Sequence, residues 1–399
     1  MVTPHHMISS QSQTEPLQFI DLFCGIGGFR FALEQAAKER GQPVECVFSS
    51  DIDPHCRESY HANFLEMPHG DITVVHENDV PDHDLLLAGF PCQPFSIIGQ
   101  MKGFEDTRGT LFFDIARILK EKRPKAFVLE NVKLLVGHNK GQTIQVIHKT
   151  LVDMGYHVEY KVLNALNFGL PQKRERVWIV GFRDHDKLEW PIGGQAMKPL
   201  GSILEKDVEA KHYASEHIRS KRLLKARPRA EPTIWHENKA GNISVYPYSC
   251  ALRAGASYNY LLVNGERRLT PREMLRLQGF PDSFRIVCSD SQTRKQAGNS
   301  LPVNVARAVL SQVLRTMGCG QDPVNGNIPV QMRVLENPAS KEKYAARKKS
   351  YKATTPSTAK EYGSFQAETL PHIHLTGKTY TPVIPRNSVE KSFLFGTPV

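Results

Sequence analysis

The residues best suited to chemistry in this chain sit where apolar runs end. Cys92 lies in GFPCQPFS at positions 89 to 96, directly after the run Leu85-Leu86-Leu87-Ala88. Pro91 and Pro94 exclude a helix interior, and Pro94 would also break a strand ladder. The pattern predicts a thiol presented on a loop at the end of a buried strand, where open α/β sheets place their ligands. A lone cysteine is more often an inert buried side chain, so its chemistry depends on what accompanies it. Glu130 ends a second apolar run, KAFVLENV at 125 to 132. A strand-end carboxylate beside a loop thiol offers a nucleophile and an acid for one substrate, although an isolated glutamate usually serves as a surface or capping residue. Gln172, Arg174 and Arg176 alternate in QKRERVW, and alternation puts all three on one face. That face is either the polar wall of a pocket or an exposed strand edge.

A second set of residues suits a ligand rather than a reaction. DLFCGIGG at 21 to 28 resembles a nucleotide loop, but the dinucleotide fingerprint wants a third glycine at position 30, where Arg30 stands. A pyrophosphate cradle is therefore disfavoured. Gly25 and Gly27 still let the backbone approach a ligand closely at a helix N-terminus, which is all that an adenosyl group with a methionine tail requires. Asp51 ends the next strand, where a carboxylate can take both ribose hydroxyls. Asp71, in GDIT, ends the following unit and can accept from an adenine amino group. The plain alternative is a tight strand-to-helix turn with no ligand.

The elements that must position these residues follow from periodicity. Strands are predicted at 17 to 23, 44 to 53, 83 to 90 and 125 to 132, and again in HVEYKVLNA and RVWIVGF. Helical spacing joins Phe29, Phe31, Ala32 and Leu33, then Leu111, Ile115, Ile118 and Leu119, then Ile144, Ile147, Leu151 and Met154. Such alternation implies a doubly wound, mostly parallel sheet covered on both faces. The pattern breaks near Asp184, and helical text returns from Pro271 to Leu277 and from Pro302 to Leu314. The expected organisation is a polar N-terminus at 1 to 16, a catalytic and cofactor-binding domain at 17 to 184, an inserted module at 185 to 267, a return to the first domain at 268 to 319, and a basic extension at 320 to 399.

Composition sets the class. The chain has 399 residues, 40% of them hydrophobic and 23% charged, and a formal net charge of +10. This describes a globular protein with a basic surplus that favours a polyanionic partner. No apolar run approaches the roughly 20 residues that span a bilayer, and the polar N-terminus lacks a signal core. Seven cysteines occur without a CxxC pair, so neither a zinc motif nor a disulfide framework is expected and no metal is called for. A reducing cytoplasm fits.

Taken in order, these segments resemble the DNA (cytosine-5)-methyltransferases of bacterial restriction-modification systems. DLFCGIGGF is similar to the family's first cofactor motif and GFPCQPFS to its Pro-Cys nucleophile motif. ENV, QKRERVWIVGFR, RRLTPREMLRLQGFPDSF and QAGNSLPVNVA match later motifs in the family's order, from about Phe19 to Leu314. The resemblance implies the S-adenosylmethionine-dependent methyltransferase fold with a smaller inserted DNA-recognition domain. It implies that Cys92 is the nucleophile, Glu130 its acid partner, and Arg174 the arginine that helps hold the cytosine, with Arg176 beside it. Phe23, Gly25, Gly27, Asp51, Ile52, Asp71 and Leu111 match positions lining the S-adenosyl-L-methionine pocket, and Asn299 and Ser300 match the motif closing its methionine end. At Ile52 the family often has an aromatic residue, so an aliphatic side chain would pack on the adenine instead.

The implied reaction begins with addition of the Cys92 thiolate to C6 of a cytosine, which breaks the ring's aromaticity. Glu130 at N3 stabilises the enamine, C5 takes the methyl group, and loss of the C5 proton expels the thiol. The base must be flipped out of the duplex, at roughly a few kcal/mol. Residues 93 to 110 resemble the family's mobile loop. Gln93, Ser96 and Gln172 are expected at the DNA, with Thr233 and Ile234 resembling the recognition module's Thr-plus-aliphatic pair and Arg253 a candidate for base readout or a phosphate grip. The expected partners are duplex DNA and a cognate restriction endonuclease, the expected state is a monomer, and the expected location is the bacterial cytoplasm. An RNA methyltransferase of the same fold and a non-catalytic DNA-binding relative are the alternatives.

Overall fold

Four of the predicted strands form one parallel array: β1 (Leu17–Leu22), β2 (Val44–Ser50), β3 (Leu85–Ala88) and β4 (Ala126–Val132). The computed structural model describes residues 15–91, 111–184 and 187–321. The expectations for Cys92, Gln93, Ser96, the loop at 93 to 110 and nearly all of the extension from 320 therefore lie outside the described residues. Helix α1 (Gly28–Glu39) joins β1 to β2, α2 (Pro54–Phe64) follows β2, and α3 (Leu111–Lys122) precedes β4. A short α4 (Leu134–Gly137) and then α5 (Gln142–Asp153) lead to β5 (His157–Asn164). After a two-residue strand β6 (Gln172–Lys173), β7 (Glu175–Phe182) inserts between β4 and β5, antiparallel to both. The six-stranded order is β2-β1-β3-β4-β7-β5.

The strands read as continuous apolar runs because both faces are covered. Successive side chains go to opposite sides: Leu85 and Leu87 of β3 join one core with Phe19, Val128, Trp178 and Val180, while Leu86 and Ala88 join the other with Ile20, Leu22, Phe127, Leu129 and Ile179. The first core contains the apolar stripe of α1 and the second those of α3 and α5. This is the α/β architecture that the sequence predicts.

The insertion is built differently. Helix α6 (Glu216–Leu223) precedes β8 (Ile234–Glu237), β9 (Ile243–Tyr246), the two-residue β10 (Ser249–Cys250) and β11 (Leu261–Val263). β11, β8 and β9 make a small antiparallel sheet, and β10 pairs in parallel with β6. Ile234, Leu252, Leu261 and Val263 belong to the same core as α1. Three helices complete the layer: α7 (Pro271–Gln278), α8 (Asp290–Asn299) and α9 (Val303–Thr316). Helix α7 starts at a capping box, with Thr270 and Glu273 satisfying each other's backbone N–H groups. Glu273 is fully buried and meets Arg267 in a two-point ion pair, both contacts at 2.8 Å. No helix among the described residues is long and apolar enough to cross a membrane.

Candidate active site

The parallel strands β2, β1, β3 and β4 end at one edge of the sheet, and the chain order reverses between β1 and β3. Ligands of open α/β sheets bind at such a reversal. Phe23 leaves β1 with φ 55, an uncommon conformation for a residue with a side chain. The Gly25 N–H donates to Asp51 Oδ2 at 2.8 Å and the Asp53 N–H to Asp51 Oδ1 at 2.8 Å. One carboxylate is thereby fixed between the glycine turn and the start of α2. Burial raises the Asp51 pKa above its ordinary value, and the two N–H donors oppose that rise. Gly27 caps α1 at φ 81, and a Cβ there would fall 2.2 Å from the Phe64 ring; only glycine fits. No side chain caps α1, which leaves first-turn N–H groups for a ligand or water. A Cβ at Gly25 would meet no atom within 4 Å, so the turn opens onto free space, and Ile52 beside it is 72% exposed.

The later elements close on this turn. Lys295 of α8 pairs with Asp53 at 2.8 Å, and Gln296 Nε2 donates to the His55 carbonyl at 2.9 Å. Ser300 lies at the start of α1, where a Cβ on Gly28 would be 3.1 Å from its Oγ. Asn299 precedes it and is exposed. Asp71 caps the short turn Ile72–Val74 by accepting from the Thr73 N–H at 2.9 Å and the Thr73 hydroxyl at 2.8 Å. Arg117 of α3 donates to the Ile72 carbonyl at 2.7 Å, which holds that turn against the helix that Leu111 opens.

The catalytic corner lies at the ends of β3 and β4. Glu130 is buried, and a Cβ on Gly89 would stand 3.8 Å from its Oε2. Arg176 Nε lies 2.8 Å from Glu130 Oε1. The contact is an ion pair, and no donor other than Arg176 reaches Oε1. Burial raises the Glu130 pKa, and the positive charges of Arg176 and Arg174 partly offset it. The Asn131 side chain donates to the Phe90 carbonyl at 2.9 Å. That bond ties the chain two residues before Cys92 to the strand that carries Glu130.

Arg174, whose charge reaches Glu130, is engaged with backbone carbonyls rather than placed to hold a base as the resemblance implies. It is 1% exposed and donates to the Leu252 carbonyl at 2.9 Å, to the Gly298 carbonyl at 3.0 Å and to the Ser300 carbonyl. Burial, with Arg176 nearby, lowers its pKa to about 9. Of the two arginines, Arg176 is the one that meets Glu130. Gln172 needs a similar correction as a DNA contact: it is fully buried, donates to the Leu277 carbonyl at 2.8 Å and accepts from the Leu252 N–H at 3.1 Å. Thr233 and Ile234 are also buried, at 1% and 0% exposure, because β8 forms the middle of the small sheet. Neither side chain faces solvent as a base reader must. Arg253 is exposed, its guanidinium 4.9 Å from the Tyr260 ring centre, and it lines a cavity of about 360 Å³ with Tyr258 and Arg294. No residue of the glycine turn and no part of Glu130 lines that cavity.

Three residues that sequence reasoning missed also shape the site. Asp21 is fully buried on β1 with neither carboxylate oxygen hydrogen-bonded, and burial pushes its pKa up to about 8 against the opposing charge of Arg30. Asn131 stands next to Glu130 in the motif already singled out. Gln278 donates to the Ala297 carbonyl, and only its place in α7 could have signalled it.

A mostly parallel sheet with a carboxylate-lined glycine turn and a buried acid at the same edge defines an α/β enzyme of the methyltransferase kind. The family model for C-5 cytosine-specific DNA methylase matches residues 17–315, and the chain belongs to that family. It is 57% identical over 293 residues to Type II methyltransferase M.NgoBI of Neisseria gonorrhoeae, covering 72% of this chain and 90% of that one. It is 52% identical over 301 residues to Type II methyltransferase M.HaeII of Haemophilus aegyptius, covering 75% and 93%. The crystal structure of S. pombe Dnmt2 methyltransferase shares the fold, with a TM-score of 0.59 at 22% identity over 75% of this chain and 99% of that one. The activity is DNA cytosine-5 methylation.

Proposed function

We propose that this enzyme methylates C5 of a cytosine flipped out of one specific duplex sequence, with Cys92 as nucleophile and Glu130 as the acid at N3. The observation that carries the reading is the Glu130 corner. A buried carboxylate, paired with Arg176 through Oε1, sits against Gly89, and its neighbour Asn131 grips the Phe90 carbonyl on the way to Cys92. Such a carboxyl retains its proton more readily than a solvated one, as a group that donates to a ring nitrogen must. Cys92 adds to C6 as N3 gains a proton from Glu130; C5 then takes the methyl group, loss of the C5 proton to solvent breaks the carbon–sulfur bond, and the N3 proton returns to Glu130.

S-adenosyl-L-methionine, when bound, supplies the methyl group as an electrophile. The glycine turn fits it. Asp51, fixed by two N–H donors, keeps lone pairs for ribose hydroxyls, and the space beside Gly25 is open. The proposed pocket residues are Phe23, Gly25, Gly27, Asp51, Ile52, Asp71, Leu111, Asn299 and Ser300. Residues 185 to 267 are the proposed DNA-recognition module, and Arg253 its candidate reader. The names of the Type II relatives support a place in a restriction-modification system; an endonuclease of the same specificity is the proposed partner and a monomer the proposed state.

DNA carrying 5-fluorocytosine tests the chemistry. Fluorine cannot leave as the proton does, so a covalent adduct should accumulate and map to Cys92. Cys92→Ala should bind DNA, form no adduct and transfer no methyl. Transfer by that variant would falsify the assignment.

A further inference from the structure

Outside the catalytic corner, three potential metal ligands converge from distant parts of the chain. His55 and Glu58 stand three positions apart on the first turn of α2, with His55 Nδ1 3.9 Å from Glu58 Oε2. Cys288, which comes 230 positions after Glu58 on the loop entering α8, places its sulfur 3.9 Å from the same oxygen. The three ligand atoms all lie within 4.8 Å of one another. We propose that His55, Glu58 and Cys288 bind a borderline-soft divalent cation such as Zn²⁺, which clasps the start of α2 to the loop entering α8.

The chemistry of the set is that of zinc. One thiolate, one imidazole and one carboxylate are its common protein ligands, at bond lengths of ~2.0–2.3 Å. Tetrahedral ligands at those lengths stand roughly 3.3–3.7 Å apart, so side-chain rotations that close the widest gap, now within 4.8 Å, by roughly 1 Å complete the site. The sulfur is already supported from behind. Gln296 Nε2 lies 3.5 Å from Cys288 Sγ, and so does Ser59 Oγ. Gln296 gives its two amide hydrogens to Ser59 Oγ and to the His55 carbonyl, which leaves the Ser59 hydroxyl proton for the Cys288 sulfur. Donors aimed at a ligating sulfur stabilise its thiolate form. When the metal–sulfur bond forms, the thiol proton passes to solvent. The His55 and Glu58 side chains are 48% and 61% exposed, which leaves an open approach and a fourth position for water. The nearby Lys295 ammonium is engaged with Asp53 at 2.8 Å.

The cation would add to the hydrogen bonds and the Lys295–Asp53 ion pair that already join these two elements, closing a very long loop of chain. Binding to the folded state alone then raises thermal stability with metal concentration.

Titration of the full-length protein with Co²⁺, a spectroscopic substitute for Zn²⁺, tests this directly. A thiolate-to-metal charge-transfer band should saturate at one equivalent, persist in Cys92→Ala and vanish in Cys288→Ser. His55→Ala and Glu58→Gln should each weaken Zn²⁺ binding by at least ~10-fold, and Zn²⁺ should raise the Tm of the parent but not of Cys288→Ser. These are surface or half-buried positions, and equal metal-free Tm values would verify that the variants fold. A protein that gives no band, or a band that survives Cys288→Ser, overturns the site.

Discussion

At the scale of single residues, the site depends on two buried carboxyl groups with different tasks. Glu130 pairs with Arg176 and has a pKa raised by burial, so Glu130→Gln should preserve the packing but remove the proton donor. Single-turnover methyl transfer should fall by about 10²–10⁴ with DNA affinity little changed, the range of one general acid; a rate within a few-fold of the parent would dismiss the acid role. Asp21 does no chemistry, yet its carboxyl titrates at about 8 in the fold against 3.8 for the free group. Between those values the folded state holds a proton that the unfolded chain has released. The Asp21 contribution to stability therefore falls as pH rises through that window and levels off above about 8. The loss is on the order of a few kcal/mol. Asp21→Asn should flatten this slope in denaturant unfolding measured across the window, and an unchanged slope would show that Asp21 ionises without penalty.

At the scale of elements, the lesson comes from what each segment advertises. The sheet strands were legible because burial on both faces writes continuous apolar runs, as in β3. Helix α2 was not read from the sequence, since it buries only Cys56, Ser59 and Tyr60 and carries no apolar stripe; its signal was the cap Asp53 with Pro54 after it. Glu130 was legible from its place at a strand end. The partition of Arg174 from Arg176 was not, because period two puts both on one face and only tertiary packing tells which meets the acid. In the fold Arg174 is a bracket between Leu252 of the insertion and the Gly298–Ser300 turn. Close approach there needs Gly298, whose Cβ would fall 2.5 Å from the Ala254 nitrogen. Arg174→Met should therefore cost about 3–5 kcal/mol in chemical denaturation, since it strands three buried carbonyls. Lysine should not restore it, having no planar fork to span them. Stability within ~0.5 kcal/mol of the parent would contradict the bracket.

At the scale of the whole molecule, the bracket bears on how specificity and chemistry are joined. The insertion does not hang from the catalytic layer on a linker. Ile234, Leu252, Leu261 and Val263 share a core with α1, β10 pairs with β6, and Gln172 holds the Leu252 N–H while Arg174 holds its carbonyl. On the proposal that the insertion reads the target, its candidate base readers are the exposed residues between these fixed points, such as Arg253, rather than Thr233 or Ile234. Replacement of 185 to 267 by the corresponding module of a methyltransferase of different specificity should succeed only if its backbone at position 252 meets Gln172 and Arg174. Such a hybrid should methylate the donor's sequence at a rate within about 10-fold of the parent, because Cys92, Glu130 and the glycine turn all lie outside the exchanged segment. Bisulfite sequencing of plasmid DNA methylated by the hybrid reads the outcome. Methylation still confined to the original sequence would place recognition outside the insertion, and would leave its exposed arginines with phosphates alone to hold.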